Sequence, residues 1–113
     1  MTDRELLEAA AKAAGIHALR SPDGVLRNCT GLHPAMNMLA APPWNPLTDD
    51  GDALRLAVKL RLDVKINDFD TLCYGPSFGT RSAAETHTDY PDPYAATRRA
   101  IVRAAAEIGR GMT

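Results

Sequence analysis

Gly75, Ser77 and Gly79 stand in the order G-x-S-x-G, the pattern that lifts a serine hydroxyl onto a sharp turn as an acyl-transfer nucleophile. That chemistry needs a strand before the serine, a helix beneath it, and an acid preceding a histidine further along. A strand-like run does precede Gly75. Residues 79–82 carry no apolar stripe of a helix, however, and His87 comes before Asp89 and Asp92 rather than after them. At 113 residues the chain is also far too short for the hydrolase fold that uses this turn. The segment reads as a glycine-rich hairpin loop, and a small hydrolase acting through Ser77 ranks last among the functional readings.

Metal chemistry is the second candidate. Cys29 and His33 have a ligand-like spacing, and Cys73 with His87 would complete a tetrahedral set. Structural zinc sites present closely spaced pairs at both ends, whereas thirteen residues separate Cys73 from His87. The four read as buried thiols and surface histidines, and no metal or other cofactor is expected. Asp49, Asp50 and Asp52 have the charge to hold magnesium, but the positive end of a helix dipole already favours carboxylates in a first turn. No phosphate-binding glycine loop of the Walker or dinucleotide type occurs.

Recognition chemistry is better represented. Arg99 and Arg103 are four apart and share a helix face, Arg98 lies one position round, and Arg110 extends the stripe, with Glu107 the acid nearby. The stripe reads as a solvated face, or as a docking surface for an acidic partner or a phosphate-bearing small molecule. Trp44, set among prolines, either packs over the end of a helix or the sheet, or stands out as an aromatic anchor. Tyr74, Tyr90, Tyr94 and Trp44 are the aromatics available to stack on a nucleotide-type ligand that the arginines neutralise. The candidate binding residues are Arg98, Arg99, Arg103, Trp44 and Tyr94.

These residues need elements to hold them. Thr2 and Glu5 have the capping-box spacing and predict a helix over 3–14 with an apolar stripe of Leu6, Leu7, Ala10, Ala13 and Ala14, ended by Gly15. The turn signal Ser21-Pro22-Asp23-Gly24 predicts a small hairpin. Residues 31–47 carry Pro34, Pro42, Pro43 and Pro46 and read as irregular, with room for one helical turn over 35–41. A loop of that length in a small domain tends to be functional or mobile. A second helix starts at Thr48 or Asp49, with Ala53, Leu54, Ala57 and Val58 toward the core. The period then changes to two: Leu62, Val64 and Ile66 alternate with polar residues as a half-buried strand. Strands over 71–74 and 82–88 follow, and an antiparallel meander is the cheapest topology. Asp92 caps and Pro93 opens a third helix that buries Ile101, Val102, Ala105 and Ile108, turns its arginines outward and ends at Gly109.

The expected class is α+β: a three-layer α-β-α sandwich around a small antiparallel sheet, with an N-terminal helix and hairpin, and one helix on each sheet face. Residues 1–113 read as a single domain, 1–43 forming a variable N-terminal part and 44–113 the core. With 45% hydrophobic and 24% charged residues the composition is ordinary for a soluble globular protein. A chain of this length can bury one real core. No stretch approaches the ~20 apolar residues of a membrane span, and the net charge of -1 argues against nucleic acid or anionic membrane as partner. The polar, acidic N-terminus does not read as a signal peptide. A cytoplasmic location with Cys29 and Cys73 reduced is therefore expected, and the glycosylation-like triplet at 28–30 is taken as chance. The edge strands of a meander are also able to pair across a two-fold axis, so a homodimer is an open expectation.

The order Trp44-Asn45-Pro46, acidic helix start, amphipathic helix (Asp50 and Val58 within it), alternating strand, meander and Pro93-initiated alanine-rich helix with its ATRRAIVRAA core resembles the phage ABA-sandwich domain. The resemblance covers roughly the last seventy residues and rests on structural motifs. It implies an α-β-α layered fold and a phage- or prophage-encoded protein of a bacterial cytoplasm. It supplies no catalytic residue. The favoured reading is a non-enzymatic accessory binding protein acting on a host, phage or defence protein through a protein interface. The alternative is a protein that sequesters a nucleotide-type small molecule.

Overall fold

The computed structural model describes residues 2–33, 35–75, 81–86 and 92–112. The element order is α1 (Asp3–Ala14), β1 (Ala18–Arg20), β2 (Leu26–Asn28), a 3-10 turn (Met38–Ala40), α2 (Asp50–Leu60), β3 (Asp63–Ile66), β4 (Asp70–Tyr74), β5 (Arg81–Thr86) and α3 (Pro93–Arg110). β1 and β2 form an antiparallel hairpin, and β3-β4-β5 an antiparallel meander. The α+β class, the N-terminal helix and the hairpin are as the sequence patterns predict.

Local chemistry accounts for the ends of these elements. Thr2 and Glu5 close the capping box at the start of α1, and Gly15 ends it in the left-handed conformation at φ 70. Asp49 caps α2 by accepting a hydrogen bond from the Asp52 amide at 2.8 Å. Asp92 caps α3 ahead of Pro93, whose missing N–H would have been an orphan in any case. In the β1–β2 turn the Ser21 hydroxyl, the Val25 amide and Arg27 hold the Asp23 carboxyl at a pKa of about 2, below its ordinary 3.8. The expected helical turn within 35–41 is the 3-10 turn.

The layering departs from one helix on each sheet face. α3 packs on β4 and β5, α1 packs along α3, and α2 also leans chiefly on α3. The successive layers are thus sheet, α3 and α1, with α2 beside α3. Buried on several sides at once, α3 presents small residues: Ala96, Ala100, Ala104, Ala105 and Ala106 are buried with Ile101 and Val102. α1 and α3 run in the same direction. Asp3 pairs with Arg99 at 3.0 Å, and the Lys12 ammonium donates to the Met112 carbonyl at 2.7 Å. Between these ties Gly109 lies against the backbone of Ala9, so close that a Cβ would stand 1.9 Å from its carbonyl oxygen. Gly109 therefore does not end α3, as its place after Ile108 suggests. The helix runs on to Arg110 and is capped at Gly111.

A second correction concerns α2. The sequence expectation turned Leu54 and Val58 inward, but the buried set is Asp52, Ala53, Leu56 and Ala57. Leu54 and Val58 are 64% and 68% exposed. Ala53, Leu56 and Ala57 follow the i, i+3, i+4 rule of one helical face, whereas Leu54 and Val58 sit about 100° round from it.

Candidate functional site

The sheet register generates the most distinctive surface of the molecule. Val64 pairs with Cys73, which pairs with Ala83; Ile66 pairs with Thr71, which pairs with Glu85. Paired residues share a face. Cys73, Ala83, Thr71 and Glu85 are buried, and this is the side on which α3 packs. Ile66 belongs to the same face but lies on the edge strand, and it is 62% exposed. α3 covers β4 and β5 more fully than β3, and α2 rests on α3 instead of closing the gap.

A groove of about 590 Å³ is left between them, lined by Ala53 and Leu54 of α2, Ile66 of β3, and Pro93, Tyr94, Thr97 and Ile101 of α3, with Asp50 at its rim. Tyr94 is 68% exposed, and Phe69, three residues after Ile66, is 82% exposed. Among the described residues, Asp50 is the one charged side chain that lines the groove.

The arginine candidates lie elsewhere and are not a solvated stripe. The Arg98 guanidinium donates to the Leu47 carbonyl at 2.8 Å and to Asp50 at 2.6 Å, tying α3 to the start of α2. Arg99 reaches Asp3 of α1 at 3.0 Å and approaches Glu85 at 3.8 Å. Arg103 donates to the Ala84 carbonyl at 3.0 Å and to the Glu85 carboxylate. Glu85 is buried, and a carboxylate there is tolerable because two guanidiniums face it. Neighbours on one helix thus turn to three different elements. Trp44 and Tyr94 lie apart from them. Trp44 is buried, with its amide bonded to the Leu26 carbonyl at 2.9 Å, so the exposed-anchor reading of Trp44 is corrected. Of the five candidates, Tyr94 is the one in the groove.

The long loop is folded against β2: Pro43 bridges to Arg27, and the Asn28 amide donates to the Pro42 carbonyl at 2.9 Å. A second cleft of about 540 Å³ results, walled by Trp44, Pro42, Pro43, Asn28, Ile16 and Leu56, with Arg55 and Lys59 of α2 beside it. Asp52 in this cleft is occupied. It accepts from the Asn45 amide at 2.9 Å and from Arg55 at 2.8 Å.

No family model, no curated protein and no solved structure matches this chain.

Ser77 and His87 lie outside the described residues, as does Tyr90. Cys29 and His33 line a small hollow of about 190 Å³ with His17, whereas Cys73 lies in the sheet core. Among the described residues no three His, Cys, Asp or Glu side chains gather as metal ligands. Burial, reinforced by the nearby Asp63 charge, pushes the Cys73 thiol up to about 12, so it is a packing group and not a nucleophile. Among the described residues no helix is long and apolar enough to cross a membrane. Of the groove residues only Tyr94 was a sequence candidate; the exposed apolar pair Leu54 and Ile66 was missed, as were Asp50, Ala53, Pro93, Thr97 and Ile101. The one available signal was that Leu54 and Val58 form an apolar pair four apart, off the face of Ala53, Leu56 and Ala57.

Proposed function

We propose that this chain is a non-enzymatic binding protein that works through a protein interface on the groove face. The observation that carries the reading is the groove itself, an apolar surface on which Leu54, Ile66 and Tyr94 are all more than 60% exposed. Exposed apolar patches rimmed by polar residues are the mark of interaction surfaces, and aromatic anchors such as Tyr94 dominate their energetics. The likeness to phage ABA-sandwich proteins supplies the setting: an accessory protein of a phage or prophage, acting in a bacterial cytoplasm. Comparing proteins captured by the immobilised wild type and by Tyr94→Ala and Leu54→Asp tests it. A partner held by the wild type and weakened at least tenfold by either change is expected; capture that ignores both changes would refute the groove as the interface.

The small-molecule reading moves to the second cleft. Arg55 and Lys59 stand four apart beside this cavity, a setting suited to an anionic ligand. A rise in melting temperature with nucleotides, lost in Arg55→Ala/Lys59→Ala, would favour it over the interface.

A further inference from the structure

The groove face is apolar and exposed, and the helix beside it carries a self-complementary pattern. Asp50, Gly51, Leu54, Val58 and Arg61 follow one another at spacings of one, three, four and three. At 100° per residue they fall on one side of α2. That side is acidic at its start, apolar in its middle and basic at its end, where Arg61 is exposed. Leu54 and Val58 lie symmetrically about Leu56, which itself points into the core.

We propose that a second copy of this chain occupies the groove face, with the two α2 helices packed antiparallel across a two-fold axis near Leu56. The proposal rests on the protein-interface reading and names its partner. In this arrangement Leu54 of one copy meets Val58 of the other, and Arg61 of each comes beside Gly51 and Asp50 of the opposite copy. Gly51, without a side chain, leaves room for the approach. A parallel pairing would set acid against acid, so the charge pattern selects the antiparallel one. Two-fold interfaces require such self-complementarity. The helix pair alone is small against the ~800 Å² per partner of a stable interface. Ile66 and Tyr94 line the groove beside Leu54 and extend the apolar area. The groove beside Leu54 then receives side chains of the second copy.

The test is sedimentation equilibrium of the full chain from micromolar to several hundred micromolar, followed by native mass spectrometry. The wild type is expected to form a dimer within this range. Leu54→Asp/Val58→Asp is expected to stay monomeric with an unchanged circular dichroism spectrum, since both positions are exposed. Arg61→Glu and Asp50→Arg should each weaken self-association at least tenfold, and an equimolar mixture should restore it, because the mixed pair regains both opposite-charge contacts. Asp50 also meets Arg98, so if Asp50→Arg does not fold, Arg61→Glu and the double aspartate variant decide. A wild type monomeric throughout overturns the proposal. So does a dimer that survives Leu54→Asp/Val58→Asp, which would place the contact elsewhere, as on the edge strand β3. A monomer that still captures a Tyr94-dependent protein leaves the interface reading standing and removes only this one.

Discussion

Cys73 shows how a side chain takes its chemistry from its place. Fully buried on β4, between Val64 and Ala83 in the register, it has no water to stabilise a thiolate. Its pKa stands near 12 where 9.0 is ordinary. The folded state therefore holds this proton more tightly than the unfolded chain does. The associated stability is fully present below pH 9 and is lost as pH rises from 9 toward 12. Denaturant midpoints measured across that window should fall more steeply for the wild type than for Cys73→Ala, and parallel slopes would contradict the assignment. Glu85, too, owes its place to its neighbours. Its residue type suggests a solvated strand position, yet it is buried because Arg99 and Arg103 come to it from α3. The spacing of those arginines was legible in the sequence. Their partners were not, since Asp3 and Glu85 are remote in the chain and meet α3 only through packing.

The helices are where sequence patterns served best and where one residue changed meaning. Capping chemistry is local, so the starts of α1, α2 and α3 could be read from Thr2, Asp49 and Asp92 with their neighbours. Gly109 could not. A glycine near the end of an amphipathic run looks like a terminator, but it sits inside α3 where α1 crosses at backbone distance. Gly109→Ala favours the isolated helix by about 1 kcal/mol. In the folded protein it must push α1 away, and overpacking of this kind costs about 2–3 kcal/mol. A net loss of stability in urea unfolding is expected; a stabilised variant would mean that α1 and α3 are further apart. On α2 the error was one of phase. Choosing between the Ala53–Ala57 face and the Leu54–Val58 face requires knowing that α2 meets an alanine-lined helix and not a sheet.

The whole molecule is organised around α3, which touches the sheet on one side and α1 and α2 on others. Residues 1–43 resemble a variable attachment in sequence, yet α1 covers the alanine face of α3, and Trp44 is buried in one core with Leu6, Leu7 and Leu56. A fragment of residues 44–113 should therefore lose cooperative thermal unfolding and bind hydrophobic dyes. A sharp melt like that of the full chain would show that 44–113 is a self-sufficient unit.

By itself the sequence determined the α+β class, the order of elements, the helix N-caps and the β1–β2 turn, because each depends on residues within a few positions of one another. It also contained the apolar pair Leu54–Val58 and the acidic-to-basic run of α2, without showing that they face water. Which helix covers which layer, the burial of Trp44 and Glu85, the tight crossing at Gly109 and the open groove beside Ile66 were decided only by the tertiary structure. Each of these depends on how much space α3 leaves after meeting three neighbours at once, and no periodicity within a single segment encodes that sum.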